Sequence, residues 1–296
     1  WDRALSEAAQ RLGGARDLGV LISTRLTNEA LALLNRVFVQ HLTSGQYGIP
    51  EEPLAPVPLG ACGRLADVPA SDLVVLAGAD PAENQPVASF LVKRALDRGA
   101  RLITVEDAPT ELSAFAEAHY SFAEVERVVE PARAAGRVSV LYGPALPAAA
   151  LESLLPLQSK AAFIPLQPGV NTATAAALGM SGTLNPDACR TLFVAAADED
   201  GSLDRLAARV DPTAYVIAMA VCETPLTARA DLVLPMASWL ERSGTYTNTE
   251  GTLLRAHAAL PPSGQARPDW DIIGRLAEKL GVGATAARAG QPSWRF

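Results

Sequence analysis

The chain has 296 residues, 49% apolar and 19% charged, which excludes a disordered chain and leaves room for one or two domains with large cores. A formal net charge of −7 excludes the broad basic face that nucleic-acid binding needs. The apolar runs, residues 215–222 among the longest, fall well short of the roughly 18 residues that span a bilayer, so the sequence predicts no direct membrane insertion.

Residue 1 is Trp, and the opening Trp1-Asp-Arg-Ala-Leu is amphipathic from its start, predicting a helix over residues 2–13 that stops at Gly13-Gly14. Residues 18–22 read as a short apolar strand. A helix over residues 29–42 follows, with apolar positions at Leu31, Leu34, Val37 and Phe38 and with Thr27 or Asn28 as its N-cap. Residues 45–65 are turn-rich, broken by Pro50, Pro53, Pro56 and Pro58. Strand 73–77, the turn Gly78-Ala-Asp80-Pro81-Ala-Glu83-Asn84, helix 87–98 and strand 101–105 then form one right-handed β-α-β unit. A turn at the C-terminal end of such a strand is where open α/β sheets bind phosphates and nucleotides. After the second strand, Glu106 and Asp107 stand with no Lys or Arg before Thr110; two carboxylates without a cation make a poor seat for a pyrophosphate.

From about residue 133 the alternation resumes, with strand 138–141, helix 148–155 and strands 161–164, 191–194 and 214–221. Leu232-Val233-Leu234 reads as a buried strand closed by Pro235. Thr245, Thr247, Asn248, Thr249 and Glu250 follow; side chains this short and polar either bond their own backbone in turns or line a polar pocket. A last helix is predicted over residues 269–280, then an Ala/Gly-rich tail.

Reactive residue types do not cluster in the sequence. Cys62, Cys189 and Cys222 lie far apart, without the spacing of an iron–sulfur motif, and sparse cysteines of odd number fit a reducing compartment. His41, His119 and His257 show no metal-ligand spacing. Neither a Ser-His-Asp order nor a P-loop is present, so the sequence assigns no catalytic residue. Asp198-Glu-Asp200 reads as a solvated turn.

The segment Ala230-Asp231-Leu-Val-Leu-Pro, continued by Glu241-Arg-Ser-Gly-Thr245-Tyr-Thr-Asn248-Thr-Glu250-Gly, resembles a signature of the molybdopterin oxidoreductase superfamily. Within it the likeness is greatest to the large iron–sulfur subunit of bacterial NADH:quinone oxidoreductase, respiratory complex I. The Trp1 opening, Asn28-Glu29, Gly78-Ala-Asp-Pro-Ala-Glu-Asn84, Asn171 to Gly179 and Gln265-Ala-Arg-Pro-Asp-Trp270 add to it, so the resemblance covers nearly the whole chain.

That resemblance implies an α/β fold of two Rossmann-like parallel-sheet lobes, as in formate dehydrogenase and DMSO reductase. One lobe (residues 69–131) would be inserted in the other (residues 1–68 plus 132–296). It implies a scaffold without a redox centre of its own, beside the iron–sulfur chain from NADH to quinone, the clusters lying in a preceding N-terminal part. The implied partners are that part and other peripheral-arm subunits of complex I, and the implied location is the cytoplasmic face of the plasma membrane, reached through the complex. The alternative is the core of a molybdenum or tungsten bis-pterin enzyme such as a formate dehydrogenase. Gly78, Asp80, Glu83, Asn84, Thr110, Thr245 and Asn248 would then face the molybdopterin, and Cys62 would ligate the metal. Pterin-binding relatives carry Asp-Pro-Arg where this chain has Glu106-Asp107-Ala108-Pro109, and the absent Arg favours a retained fold without the cofactor. An unrelated nucleotide-binding α/β protein is the third reading.

Overall fold

The computed structural model describes residues 1–43, 46–49, 63–180, 182, 184–197 and 202–283. In chain order the elements are α1 (Asp2–Gly13), β1 (Leu18–Ile22), α2 (Asn28–Leu34) with a π-helical continuation Asn35–His41, and β2 (Gln46–Gly48). Next come β3 (Leu73–Ala77), α3 (Pro81–Asn84), α4 (Pro86–Leu96), β4 (Arg101–Val105), β5 (Ala118–Tyr120), α5 (Val129–Ala134), β6 (Val138–Tyr142), α6 (Ala148–Leu154) and β7 (Ala161–Pro165). The last third holds α7 (Thr172–Ala177), β8 (Thr191–Ala195), α8 (Ser202–Arg209), β9 (Tyr215–Ala220), α9 (Pro225–Arg229), β10 (Leu232–Pro235), β11 (Gly244–Thr247), β12 (Leu253–Ala256) and α10 (Asp269–Lys279).

Two compact units result. The first comprises Trp1–Glu52, Gly169–Asn248 and Leu253–Phe296; the second comprises Pro53–Pro168 and Thr249–Thr252. Each carries a five-stranded sheet, in the order β10-β9-β8-β1-β2 and β5-β4-β3-β6-β7, and every ladder in both is parallel. The second unit extends well beyond the expected 69–131. Its sheet recruits β6 beside β3 and β7 beside β6, so the chain crosses back at Pro168 and Gly169 rather than near residue 131.

Parallel strands covered on both faces read as unbroken apolar runs, and β1, β3 and β6 are buried at every position. Alternate residues feed opposite cores. In the first unit Val20, Ile22, Phe193 and Ile217 pack with α1, α2 and α10, while Leu21, Leu192, Val194 and Val216 pack with α8 and α9. In the second unit Val75, Ile103 and Val140 face α6, while Val74, Leu76 and Leu141 face α4.

Two sequence expectations change in detail. The single helix over residues 29–42 loosens to π-helical pitch at Asn35, whose Nδ2 donates to Leu178 O at 2.9 Å and whose Oδ1 accepts from Gln40 Nε2 at 2.8 Å. The polar stretch after Ser243 is not a turn alone: it forms the antiparallel pair β11–β12. Met236 to Arg242 is an irregular connection, with Met236 bridged to Arg267. Among the described residues no helix is long and apolar enough to cross a membrane.

Candidate functional site

In an open α/β sheet the ligand crevice lies beyond the C-terminal strand ends where the strand order reverses. In the first unit that point falls between β1 and β8. There Ser23, Thr24, Thr27, Asn28, Asn171, Thr174, Arg242, Thr245, Thr247 and Asp269 are all buried. Burial at this density requires partners, and the chain supplies them itself.

Thr27 caps α2, its hydroxyl accepting from Ala30 N at 3.2 Å. Its own N–H and hydroxyl donate to the Asp269 carboxylate at 2.8 and 3.1 Å. Asp269 also faces Arg242 Nε at 3.8 Å, an ion pair with side chains 0% and 1% exposed. The Arg242 guanidinium further donates to Ala237 O at 3.2 Å and Arg25 O at 3.1 Å. Asn28 Nδ2 donates to the Thr245 and Thr247 hydroxyls at 3.3 and 3.1 Å, and Glu29 accepts from Thr245 N and Oγ1, both at 2.9 Å. Asn171 closes the ring: it accepts from Thr247 N at 2.6 Å and donates to Leu26 O at 2.6 Å. Four motifs far apart in sequence, around Asn28, Asn171, Thr245 and Asp269, thus meet in one polar lock. Asn28 does more than the helix capping that sequence alone suggested. The convergence of Arg242 with Asp269 was not foreseen; the available signal was a charged residue within each of two family motifs.

In the second unit the strand order reverses between β3 and β6. Gly78, at φ +59°, brings the turn after β3 so close to the turn after β6 that an added Cβ would lie 2.3 Å from Leu146 N. Gly143 N donates to Ala77 O at 2.9 Å and Ala145 N to Gly78 O at 3.1 Å, so the two turns are stitched together. Asp80 caps α3, accepting from Ala82 N and Glu83 N at 3.1 and 3.4 Å. Its carboxylate therefore takes the donors that an anion would use. Glu83 and Asn84 are exposed. Thr110 lies beyond the neighbouring strand β4, where its N–H and hydroxyl bond Glu106 at 3.4 and 3.3 Å and its N–H bonds Ser113 Oγ at 2.8 Å. Glu106 is buried, with His119 Nδ1 3.8 Å from its Oε1. Gly78, Asp80, Glu83, Asn84 and Thr110 thus share one sheet edge of the second unit, whereas Thr245 and Asn248 belong to the first. Glu250, in the second unit, accepts from Leu65 N at 3.0 Å.

Cys62 lies outside the described residues, as do 198–200. Among the described residues no group of three or more His, Cys, Asp or Glu is placed to hold a metal ion. His41 ends the π-helical segment, and His257 is exposed. Cys189 is buried, and burial, with a smaller push from the Asp17 carboxylate, raises its thiol pKa; Cys222 is exposed. Since the thiolate is the reactive form, Cys222 should alkylate rapidly in the native protein and Cys189 only on unfolding. Peptide mapping after timed iodoacetamide labelling checks this, and equal rates at the two sites would contradict the burial.

Residues 135–279, from the end of α5 to the end of α10, match the family model described as molybdopterin oxidoreductase. The F420-dependent formate dehydrogenase subunit alpha of Methanocaldococcus jannaschii is 44% identical over 69 residues, 23% of this chain and 10% of that protein. The nitrate reductase of Klebsiella oxytoca is 36% identical over 88 residues, 26% of this chain and 10% of that protein. The matched stretches span about a tenth of the length of these relatives. Among solved structures, acetylene hydratase from Pelobacter acetylenicus aligns with a TM-score of 0.60 over 95% of this chain and 58% of its own, at 16% identity. That is a likeness of fold.

Proposed function

Starting from a molybdopterin oxidoreductase family domain at residues 135–279, we propose that the chain is a module of this fold within the large subunit of a redox complex. Two readings differ in whether the module holds a pterin.

In the first it resembles the corresponding part of the large iron–sulfur subunit of complex I. It acts as a scaffold beside an iron–sulfur chain, its partners are the preceding cluster-binding part and peripheral-arm subunits, and it reaches the membrane only through the complex. One observation carries this reading: at both sheet edges the polar side chains bond mainly within the chain, with Glu106 Oε2 buried and without a hydrogen-bond partner among the described residues. Asp80 occupies the donors of its own turn. Glu106 is held by Thr110 and Ser113, and the stretch from Glu106 to Thr110 carries no cation for a phosphate. The crevice between β3 and β6 is filled by the stitched turns and Leu146. These second-unit residues do not fit the nucleotide end of a pterin cofactor.

The second reading is the core of a molybdenum or tungsten bis-pterin oxidoreductase of formate-dehydrogenase type. The relatives support it better than the first, since those named above are a formate dehydrogenase subunit and a nitrate reductase. Under it, Thr245 and Asn248 in the first unit are among the residues that would face the cofactor.

Metal analysis of the purified protein, with fluorescence of oxidised pterin released by acid, separates the two. The scaffold reading expects neither molybdenum, tungsten nor pterin above trace; any of them at stoichiometric level selects the second.

A further inference from the structure

A cleft lies at the N-terminal edge of the first unit's sheet. Thr191 and Tyr215, which line it, are the first residues of β8 and β9. It is therefore a strand length, about 16 Å, from the crevice beyond the C-terminal strand ends. One face of α1, the residues that follow it to Ala15, and the starts of β8 and β9 enclose an open volume of about 970 Å³.

Arg3, Glu7 and Arg11 follow one another at four-residue steps along α1, the spacing at which opposite charges pair on a helix. They do not pair here. Glu7 Oε1 accepts instead from the Tyr215 hydroxyl at 2.8 Å, and among the described residues neither Arg3 nor Arg11 makes an ion pair. The Tyr215 ring in turn carries the Arg11 guanidinium, whose Cζ lies 4.4 Å from the ring centroid, and this stacking orients its fork of donors. Arg190, also exposed, donates from Nη1 to Thr213 Oγ1 at 2.9 Å and lies 3.6 Å from Asp211 Oδ2. The lining thus sets three guanidiniums against one carboxylate, that of Glu7, in a chain whose net charge is −7.

We propose that this cleft docks an extended acidic segment of a partner polypeptide. Its charge calls for an anion, and its dimensions say which kind. Arg3 and Arg11 are eight residues apart, about 12 Å along the helix, too far for one phosphate or carboxylate to bridge. Two carboxylates four residues apart on an extended chain project to the same side at about 13 Å. Ser6, Gln10 and Thr213 line the same cleft and offer hydrogen bonds to an open backbone, whereas a docked helix brings a satisfied backbone and an apolar face. Arg and Tyr are also the residue types that carry binding energy at protein interfaces, a guanidinium being weakly hydrated. The surface belongs wholly to the first unit and stands whether or not the module holds a pterin.

The test is fluorescence anisotropy of labelled peptides with the whole protein at low salt. One peptide carries Glu at every fourth position in a Ser/Thr background. A second has the same composition with its Glu residues adjacent, and a third has Gln in place of Glu. The spaced acidic peptide should bind saturably, about tenfold more tightly than the Gln peptide and about threefold more tightly than the clustered one, and should weaken as salt rises. Arg3→Gln and Arg11→Gln should each cost about threefold in affinity. Tyr215→Phe keeps every cation but releases Glu7 to pair with Arg3 and Arg11, so it should also cost about threefold; adding Glu7→Gln should restore the affinity. If Arg11→Gln lowers Tm through its lost ring contact, Arg3→Gln and the Tyr215→Phe pair carry the same test. Affinity unchanged in both Arg3→Gln and Tyr215→Phe, equal binding of the clustered or the Gln peptide, or tighter binding of an oligonucleotide of equal charge would each overturn the proposal. So would self-association that Arg3→Gln abolishes, by making the occupant a second copy.

Discussion

Asp269→Ala is expected to destabilise the first unit by about 3–5 kcal/mol, the usual cost of breaking a buried ion pair from one side. Asp269 is fully buried and receives two bonds from Thr27, one from Trp270 N and the charge of Arg242. Its removal strips the acceptor from the first turn of α2 and takes the Asp269 charge away from a guanidinium that is 1% exposed. A fall in Tm of about 10 °C follows for a unit of this size, read by calorimetry as a downward shift of its unfolding transition. Asp269→Ala combined with Arg242→Met should be less destabilised than Asp269→Ala alone, with a coupling of about 1–3 kcal/mol, because both charges of the buried pair are then removed together. Additive losses, or a single-variant loss below about 1 kcal/mol, the range of an exposed pair, would show the lock to be solvated.

For the second unit the largest effect is expected at Gly78. Gly78→Ala places a methyl at φ +59°, 2.3 Å from Leu146 N and 2.6 Å from Leu146 Cα. The positive φ costs about 1 kcal/mol, and forcing the two turns apart adds about 1–3 kcal/mol. Gly99→Ala is the matched control: φ is +91°, yet nothing lies within 4 Å of the added Cβ, so only the conformational cost should appear. Urea unfolding of the two variants isolates the close approach as their difference. Equal stability would mean that the turns after β3 and β6 are not held in contact.

If that contact is as stiff as the geometry indicates, the sheet edge of the second unit is closed by its own backbone. Gly78, Asp80 and Thr110, read from sequence as possible cofactor contacts, then have definite structural duties: close approach, helix capping, and the anchoring of Glu106. The two readings of function therefore diverge at this edge, and metal analysis addresses the same residues that the Gly78 variant tests by stability.

The sequence alone determined those features that depend on neighbours along the chain. Apolar runs such as Leu73 to Ala77 and Val138 to Leu141 emerged as strands at nearly the positions read from periodicity, because a strand buried on both faces needs only local apolar character. Helix boundaries at Gly13 and Asp269 were legible for the same reason. The parallel two-sheet fold was legible through the motif blocks. Tertiary structure decided what depends on contacts between distant segments. Which sheet β6 and β7 join is a matter of pairing, and nothing local in Val138 to Tyr142 distinguishes an edge beside β3 from one elsewhere. The shift to π-helical pitch at Asn35 coincides with its bond to Leu178, 143 residues away. Likewise, Asn28, Asn171, Thr245, Arg242 and Asp269 look like ordinary polar residues in sequence. They become one lock only because burial removes water and leaves each hydrogen-bonding group to find its partner in another segment.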